Sequence, residues 1–179
     1  MQLEIGQKVA YPGQGVCRVE SQTSRVVGEN TIAVYILRVL SDNSTIFVPT
    51  CNAENVGIRP LISQKQCRSL INCLSEDFEG VSDNWKTRSR LFMDKLQSGD
   101  IFATADVLKQ LTYLSHEKRL SFREQTLLEK AKFLVVSEIT NANVSVDEEK
   151  VLTDVVRRVE TACIKHVSLN GEAISAAVH

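Results

Sequence analysis

The spacing of apolar and polar positions changes once along the chain, near Pro60. Before that point, short β-branched and aromatic stretches alternate with turn-forming residues. Val9-Ala10-Tyr11 stops at Pro12-Gly13-Gln14-Gly15. Residues 16–19 follow, and the run continues through Arg25-Val26-Val27 to a turn at Gly28-Glu29-Asn30. Residues 31–40 form the next run, Asp42-Asn43 turns the chain again, and residues 45–48 end at Pro49. A period of two broken this often predicts short strands, and strands at this spacing predict a small barrel or highly curved sheet rather than a sandwich.

After Pro60 the period becomes 3.6. Ser63 is placed to cap a first helix whose stripe is Cys67, Leu70, Ile71 and Leu74. A polar stretch, 75–84, leads to a second helix over 85–97 that ends at Ser98-Gly99. Asp100 can cap a third, with Phe102, Ala105, Leu108 and Leu111 inward. Ser121-Phe122-Arg123-Glu124 matches a capping box and opens a fourth helix with the stripe Leu127, Leu128, Ala131, Leu134 and Val135. Ser145-Val146-Asp147-Glu148 is a second box, opening a fifth helix that buries Val151, Leu152, Val155, Val159 and Ala162. The stripes are narrow, so the helices pack on one another. The expected division is 1–60 for the sheet, 61–167 for the helices, and a flexible tail over 168–179.

Composition leaves this picture unchanged: 179 residues, 43% hydrophobic and 24% charged, are ordinary for a globular chain with one or two modest cores. Charge has to be read locally, because the net value is only −1. Over residues 85–95, Lys86, Arg88, Arg90 and Lys95 face Asp94 alone, four minus one, a local +3. Such a patch suits either a few phosphate contacts or a solvated helix face. The opening MQLEIGQKVAYPGQG has neither a basic nor an apolar leader segment, and no apolar run is long enough for a membrane span. A reducing cytoplasm is the expected compartment, with the five cysteines (Cys17, Cys51, Cys67, Cys73 and Cys163) reduced.

Enzyme chemistry finds little support. There is no G-x-x-x-x-G-K-[ST] and no G-x-G-x-x-G; Gly13-Gln14-Gly15 reads as a turn between strands. The spacing of His116, His166 and His179 places none of them beside a cysteine, and the carboxylates are scattered over helix surfaces. No catalytic residue, metal or cofactor is expected. Trp85 is the one unusual residue. It is the only tryptophan and lies in a polar neighbourhood, Ser82-Asp83-Asn84-Trp85-Lys86. It reads either as a core residue or as an exposed aromatic wedge flanked by cations, the arrangement with which minor-groove binders press on a base step.

Val9-Ala10-Tyr11-Pro12-Gly13-Gln14-Gly15-Val16 resembles the opening of the CarD/CdnL family of bacterial transcription factors. Val48-Pro49, Asn55-Val56-Gly57-Ile58-Arg59, Asn84-Trp85, Lys95-Leu96-Gln97-Ser98-Gly99-Asp100 and Leu120-Ser121-Phe122-Arg123-Glu124 continue that pattern in order, so the resemblance spans about residues 1–165. It implies an α+β fold with segregated parts: a Tudor/SH3-like barrel, then about five helices. It also implies that the barrel docks on the RNA polymerase β subunit by edge pairing, through positions matching Arg25, Val26, Val27, Ile46, Phe47 and Val48. Phe47 stands where relatives often carry Arg, which makes this patch more apolar.

The same resemblance implies that the helices contact promoter DNA at the upstream edge of the transcription bubble. Trp85 would be the minor-groove wedge, Lys86, Arg88 and Arg90 the nearest phosphate ligands, and Arg123 a further basic contact at the start of the fourth helix. Binding would be largely independent of sequence and would stabilise the open complex, in a nucleoid-associated protein with no membrane or small-molecule partner. Two other readings compete: a polymerase-bound adaptor whose helices bind a protein, and a peptide-binding Tudor- or SH3-like module, for which Tyr11, Tyr35 and Phe47 supply few pocket aromatics.

Overall fold

The computed structural model describes residues 2–142 and 147–177, with the side chains of Val27 and 170–177 outside the description. Strands β1 (Lys8–Tyr11), β2 (Gly15–Val27), β3 (Asn30–Val39), β4 (Thr45–Pro49) and β5 (Arg59–Pro60) form one antiparallel sheet in the order β4-β3-β2-β1-β5. The run expected from 16 through 27 is one long strand, β2. Its register against β3 slips between Val19 and Ser21, a bulge that sharpens the local twist and bends the sheet. The sheet encloses an apolar cluster that includes Val9, Cys17, Val19, Tyr35, Leu37, Val39, Val48 and Ile58. Pattern reading missed β5, which has only two residues and contains a proline; it pairs Val9 with Pro60 and Ala10 with Arg59.

Helices α1 (Gln64–Cys73), α2 (Trp85–Gln97), α3 (Ile101–Glu117), α4 (Phe122–Ala142) and α5 (Glu148–Ala177) follow. Their starts are set by side-chain caps that satisfy backbone donors the helix cannot use itself. Ser63 and Gln66 form a reciprocal box at α1, Asn84 accepts from Lys86 and Thr87 at α2, and Asp100 accepts from Phe102 at α3. Ser121 and Glu124 form the box at α4. The box proposed at Ser145 lies outside the described residues. The inward stripes unite in one cluster around Leu70, Leu74, Phe92, Leu111, Val135 and Val159. Leu152 is a correction: it is exposed, because α5 turns Val151, Val155, Val159 and Ala162 inward and Leu152 lies about 100° round the helix from Val151. Helix α5 also continues to Ala177, past Ser168 where a tail was expected.

Sheet and helices meet along α4. Gly15 has φ +91°, and a Cβ there would lie 3.0 Å from the Phe133 ring, so only glycine lets the start of β2 approach this closely. Beside it, Arg59 of β5 makes a two-pronged pair with Glu138 of α4, at 2.5 and 2.8 Å, and donates from Nε to the Gly99 carbonyl at 2.8 Å. The Ile62 amide donates to the same carboxylate at 3.2 Å. One buried acid thus holds strand β5, the chain leading into α1 and helix α4 together.

Candidate functional site

The six sheet positions singled out in the sequence are divided by the pleat. Cross-strand partners share a face, and alternate residues of a strand lie on opposite faces. Arg25 pairs with Ile32 and Phe47 with Ile36, so both point outward; the Arg25 guanidinium lies over the Phe47 ring, 4.0 Å from its centroid. Val48 pairs with Tyr35 and Ile46 with Leu37, on the inner face. Val48 is fully buried in the sheet core, and Ile46 packs against that core from its rim. The Val48 side chain, expected at the docking surface, is instead turned into the sheet core. Val26 has the inner-face parity but lies where β2 runs past the core, so it is exposed. The Val27 side chain lies outside the described residues. Strand β4 pairs only with β3 among the described strands, which leaves its far edge free to accept another strand.

The second group gathers at the start of α2. The Asn84 side chain accepts the Lys86 and Thr87 amides at 3.0 and 3.3 Å, which fixes Trp85 as the first residue of the helix. Trp85 is 63% exposed, so of its two sequence readings the core one fails. Lys86 Nζ lies 5.7 Å from the centre of its ring, and Arg90 is almost wholly in solvent, with Asp94 at 3.9 Å. Arg123 is exposed on the first turn of α4.

Arg88 is the main correction among these residues. It is only 3% exposed. Its Nη1 donates to the carbonyls of Ser82 at 2.6 Å and Asp83 at 3.3 Å, and its Nη2 donates to Glu124 Oε1 at 2.7 Å. The phosphate role expected of it does not fit this placement: both terminal nitrogens are spent on internal acceptors, and the Nε is buried with no hydrogen-bond partner. The other oxygen of Glu124 accepts from the Ser121 amide and hydroxyl, at 2.9 and 2.8 Å. Burial pushes the Glu124 carboxyl up, but the Ser121 and Arg88 hydrogen bonds, with Lys118 nearby, outweigh it and hold the carboxyl down at about 2.

Sequence reasoning passed over three residues that the fold brings to this end. Lys118 lies 3.9 Å from Glu124, Arg119 is exposed beside it, and Phe122, the first residue of α4, is 85% exposed. The available signal was His116-Glu117-Lys118-Arg119 running straight into the capping box. An apolar residue between the cap and its Glu is forced outward if the helix buries Leu127, Ala131 and Leu134. Trp85 and Phe122 thus open two helices whose starts are joined through Arg88 and Glu124, with Lys86, Arg90, Lys118, Arg119 and Arg123 around them. Among the described residues, no group of three His, Cys, Asp or Glu could hold a metal, and no helix is long and apolar enough to cross a membrane.

Two family models match the chain in sequence: the CarD-like/TRCF RID domain over residues 3–62 and the CarD C-terminal domain over residues 69–156. The Bacillus subtilis (strain 168) protein YdeB, named as a transcription factor, is 27% identical over 139 residues, covering 76% of this chain and 89% of YdeB. The solution structure of the 72-residue N-terminal domain of Myxococcus xanthus CarD shares 32% identity over 33% of this chain and 79% of that domain, with a TM-score of 0.29. With one model on the sheet and the other on the helices, the chain belongs to the CarD/CdnL family of transcription factors that interact with RNA polymerase.

Proposed function

We propose that this protein docks on the RNA polymerase β subunit through strands β2 to β4 and stabilises the promoter open complex by placing Trp85 in the minor groove at the upstream edge of the bubble. Arg25, Val26, Ile46 and Phe47 form the docking surface, with the β4 edge open for strand addition. Trp85 is the wedge, Lys86, Arg90 and Arg123 engage phosphates, and Lys118, Arg119 and Phe122 extend the contact. The observation that carries the reading is the exposure of Trp85: a lone tryptophan held in solvent at a capped helix start, with Lys86 beside its ring.

The mechanism is binding without covalent chemistry. Docking raises the local concentration of the helical surface at DNA, so weak affinity suffices. A stacked base contributes about 1–3 kcal/mol, mostly regardless of sequence. Because an aromatic wedge fits distorted or melted DNA better than closed duplex, the protein draws the closed–open equilibrium towards open complex. A preference of about 1.4 kcal/mol shifts that equilibrium about tenfold.

The test compares Trp85→Ala with Arg25→Glu. The first should bind polymerase normally and shorten open-complex lifetime on a weak promoter by about tenfold. The second should lose capture of the β subunit while keeping its fold. Normal lifetime with Trp85→Ala refutes the wedge, and intact capture with Arg25→Glu moves the docking surface elsewhere.

A further inference from the structure

The segment that delivers Trp85 is irregular, yet side chains from the helices hold several of its carbonyls. Lys109 Nζ, almost fully buried, donates to the Cys73 carbonyl at 3.0 Å, Lys165 to Ser75 at 2.8 Å, and the Gln110 side chain to Glu79 at 3.2 Å. Arg88 takes the last two, Ser82 and Asp83, immediately before the Asn84 cap. Arg88 ties this segment to another helix start, through Glu124. Glu124 is in turn fixed by Ser121, so it cannot follow Arg88 if the α2 end moves.

We infer that Arg88 and Glu124 are a positioning pair, which clamps the start of α2 against the start of α4 and so holds the Trp85 ring in its DNA-facing orientation. Neither touches the ligand. Arg88 fills three acceptors that diverge by direction, two carbonyls on its own segment and one carboxylate across the gap. The two terminal nitrogens of the guanidinium reach both sides of the gap at once, whereas a lysine offers a single nitrogen. The first turn of a helix otherwise frays readily, and an exposed tryptophan on a fraying turn loses orientation. The clamp therefore removes an ordering cost that would otherwise fall on the moment of DNA binding. The inference rests on the wedge reading for its function and on the free protein for its structure.

The test uses Glu124→Gln and Arg88→Lys in the full chain. Gln at the third helical position still completes a capping box, so Glu124→Gln keeps the α4 start and removes the charge that anchors Arg88. Trp85 is the only tryptophan, so its fluorescence anisotropy decay in the free protein reports this site alone. Both variants should gain a fast local component in that decay, with circular dichroism unchanged. Open-complex lifetime should fall about threefold to tenfold at normal polymerase affinity. Trp85→Ala placed on Glu124→Gln should cost little more than Trp85→Ala alone, since both act through one ring.

An unchanged anisotropy decay in Glu124→Gln overturns the clamp, whatever Arg88→Lys does to folding. So does an additive loss in the double variant, because a merely structural role would add. A loosened Trp85 together with normal lifetimes in both Trp85→Ala and Glu124→Gln upholds the clamp and rejects the wedge. A shortened lifetime in Trp85→Ala alone does the reverse.

Discussion

Replacing Glu138 should separate what the sheet does from what the helices do. Its side chain is 5% exposed and accepts three hydrogen bonds, two from Arg59 and one from the buried Ile62 amide; Arg59 is 30% exposed. Glu138→Ala removes all three hydrogen bonds at once. Breaking a fully buried pair costs about 3–5 kcal/mol, mostly through the charge left behind. Here Arg59 keeps its bond to Gly99 and can reach solvent, which takes the value to the lower end. The orphaned Ile62 amide adds about 1 kcal/mol or more. The expected loss is about 4 kcal/mol in urea unfolding. Glu138→Gln keeps the volume and one acceptor for Ile62, so it should cost roughly half as much. Sheet and helices should also lose coincidence: Trp85 fluorescence reports the helices, and NMR signals of Tyr35 and Val48 report the sheet. Open-complex stabilisation should drop even at saturating docking, because a looser junction lowers the effective concentration of Trp85 at DNA. A loss below about 1 kcal/mol for Glu138→Ala, or equal losses for the Ala and Gln variants, would refute this account of the junction.

Two further outcomes follow from the charges at the start of α2. The Glu124 carboxyl is held down at about 2 against an ordinary value of 4.5, so its contribution is complete above 4.5 and is lost as pH falls towards 2. Between those limits wild-type stability should fall more steeply than that of Glu124→Gln, as measured by urea midpoints at each pH. Arg90→Ala and Arg88→Ala should differ in kind: the first should lower the salt dependence of DNA binding by about one unit of slope with unchanged stability, the second should lower stability with the slope unchanged. Equal slopes for Arg90→Ala and wild type would remove Arg90 from the DNA surface.

Much of the fold could be read from period and punctuation, because each depends on local chemistry. Pro12-Gly13-Gln14-Gly15 breaks a strand whatever surrounds it, and Asn84, Asp100 and Ser121 cap their helices through side chains that reach only two or three residues. The misses are positions where distant contacts decide. Strand β5 exists because β1 pairs with it, not because Arg59-Pro60 prefers to be extended. Leu152 looked internal because it neighbours Val151, yet packing selects a stripe narrower than the apolar run. Trp85 was ambiguous by composition, and only the fold shows that α2 begins at an outer corner.

Arg88 shows why charge counted along a sequence misjudges a binding surface. Residues 85–95 carry a nominal +3, but removing the buried Arg88 leaves +2, and Asp94 sits against Arg90 within that window. A different segment brings Lys118, Arg119 and Arg123, all exposed, to the helix start that Arg88 joins to α2, while the one acid among them, Glu124, is engaged by Arg88 and Ser121. A buried arginine is costly to desolvate unless its acceptors are fixed, and here each acceptor is fixed by a cap or by the segment that delivers Trp85. Arg88, three residues from Trp85, thus acts inside the protein, while Arg119 and Arg123, more than thirty residues away in sequence, are exposed at the start of α4 that Arg88 joins to it. A chain with a net charge of −1 can in this way present a concentrated basic patch at one corner, where a docked polymerase would supply the proximity that a global positive field would otherwise have to provide.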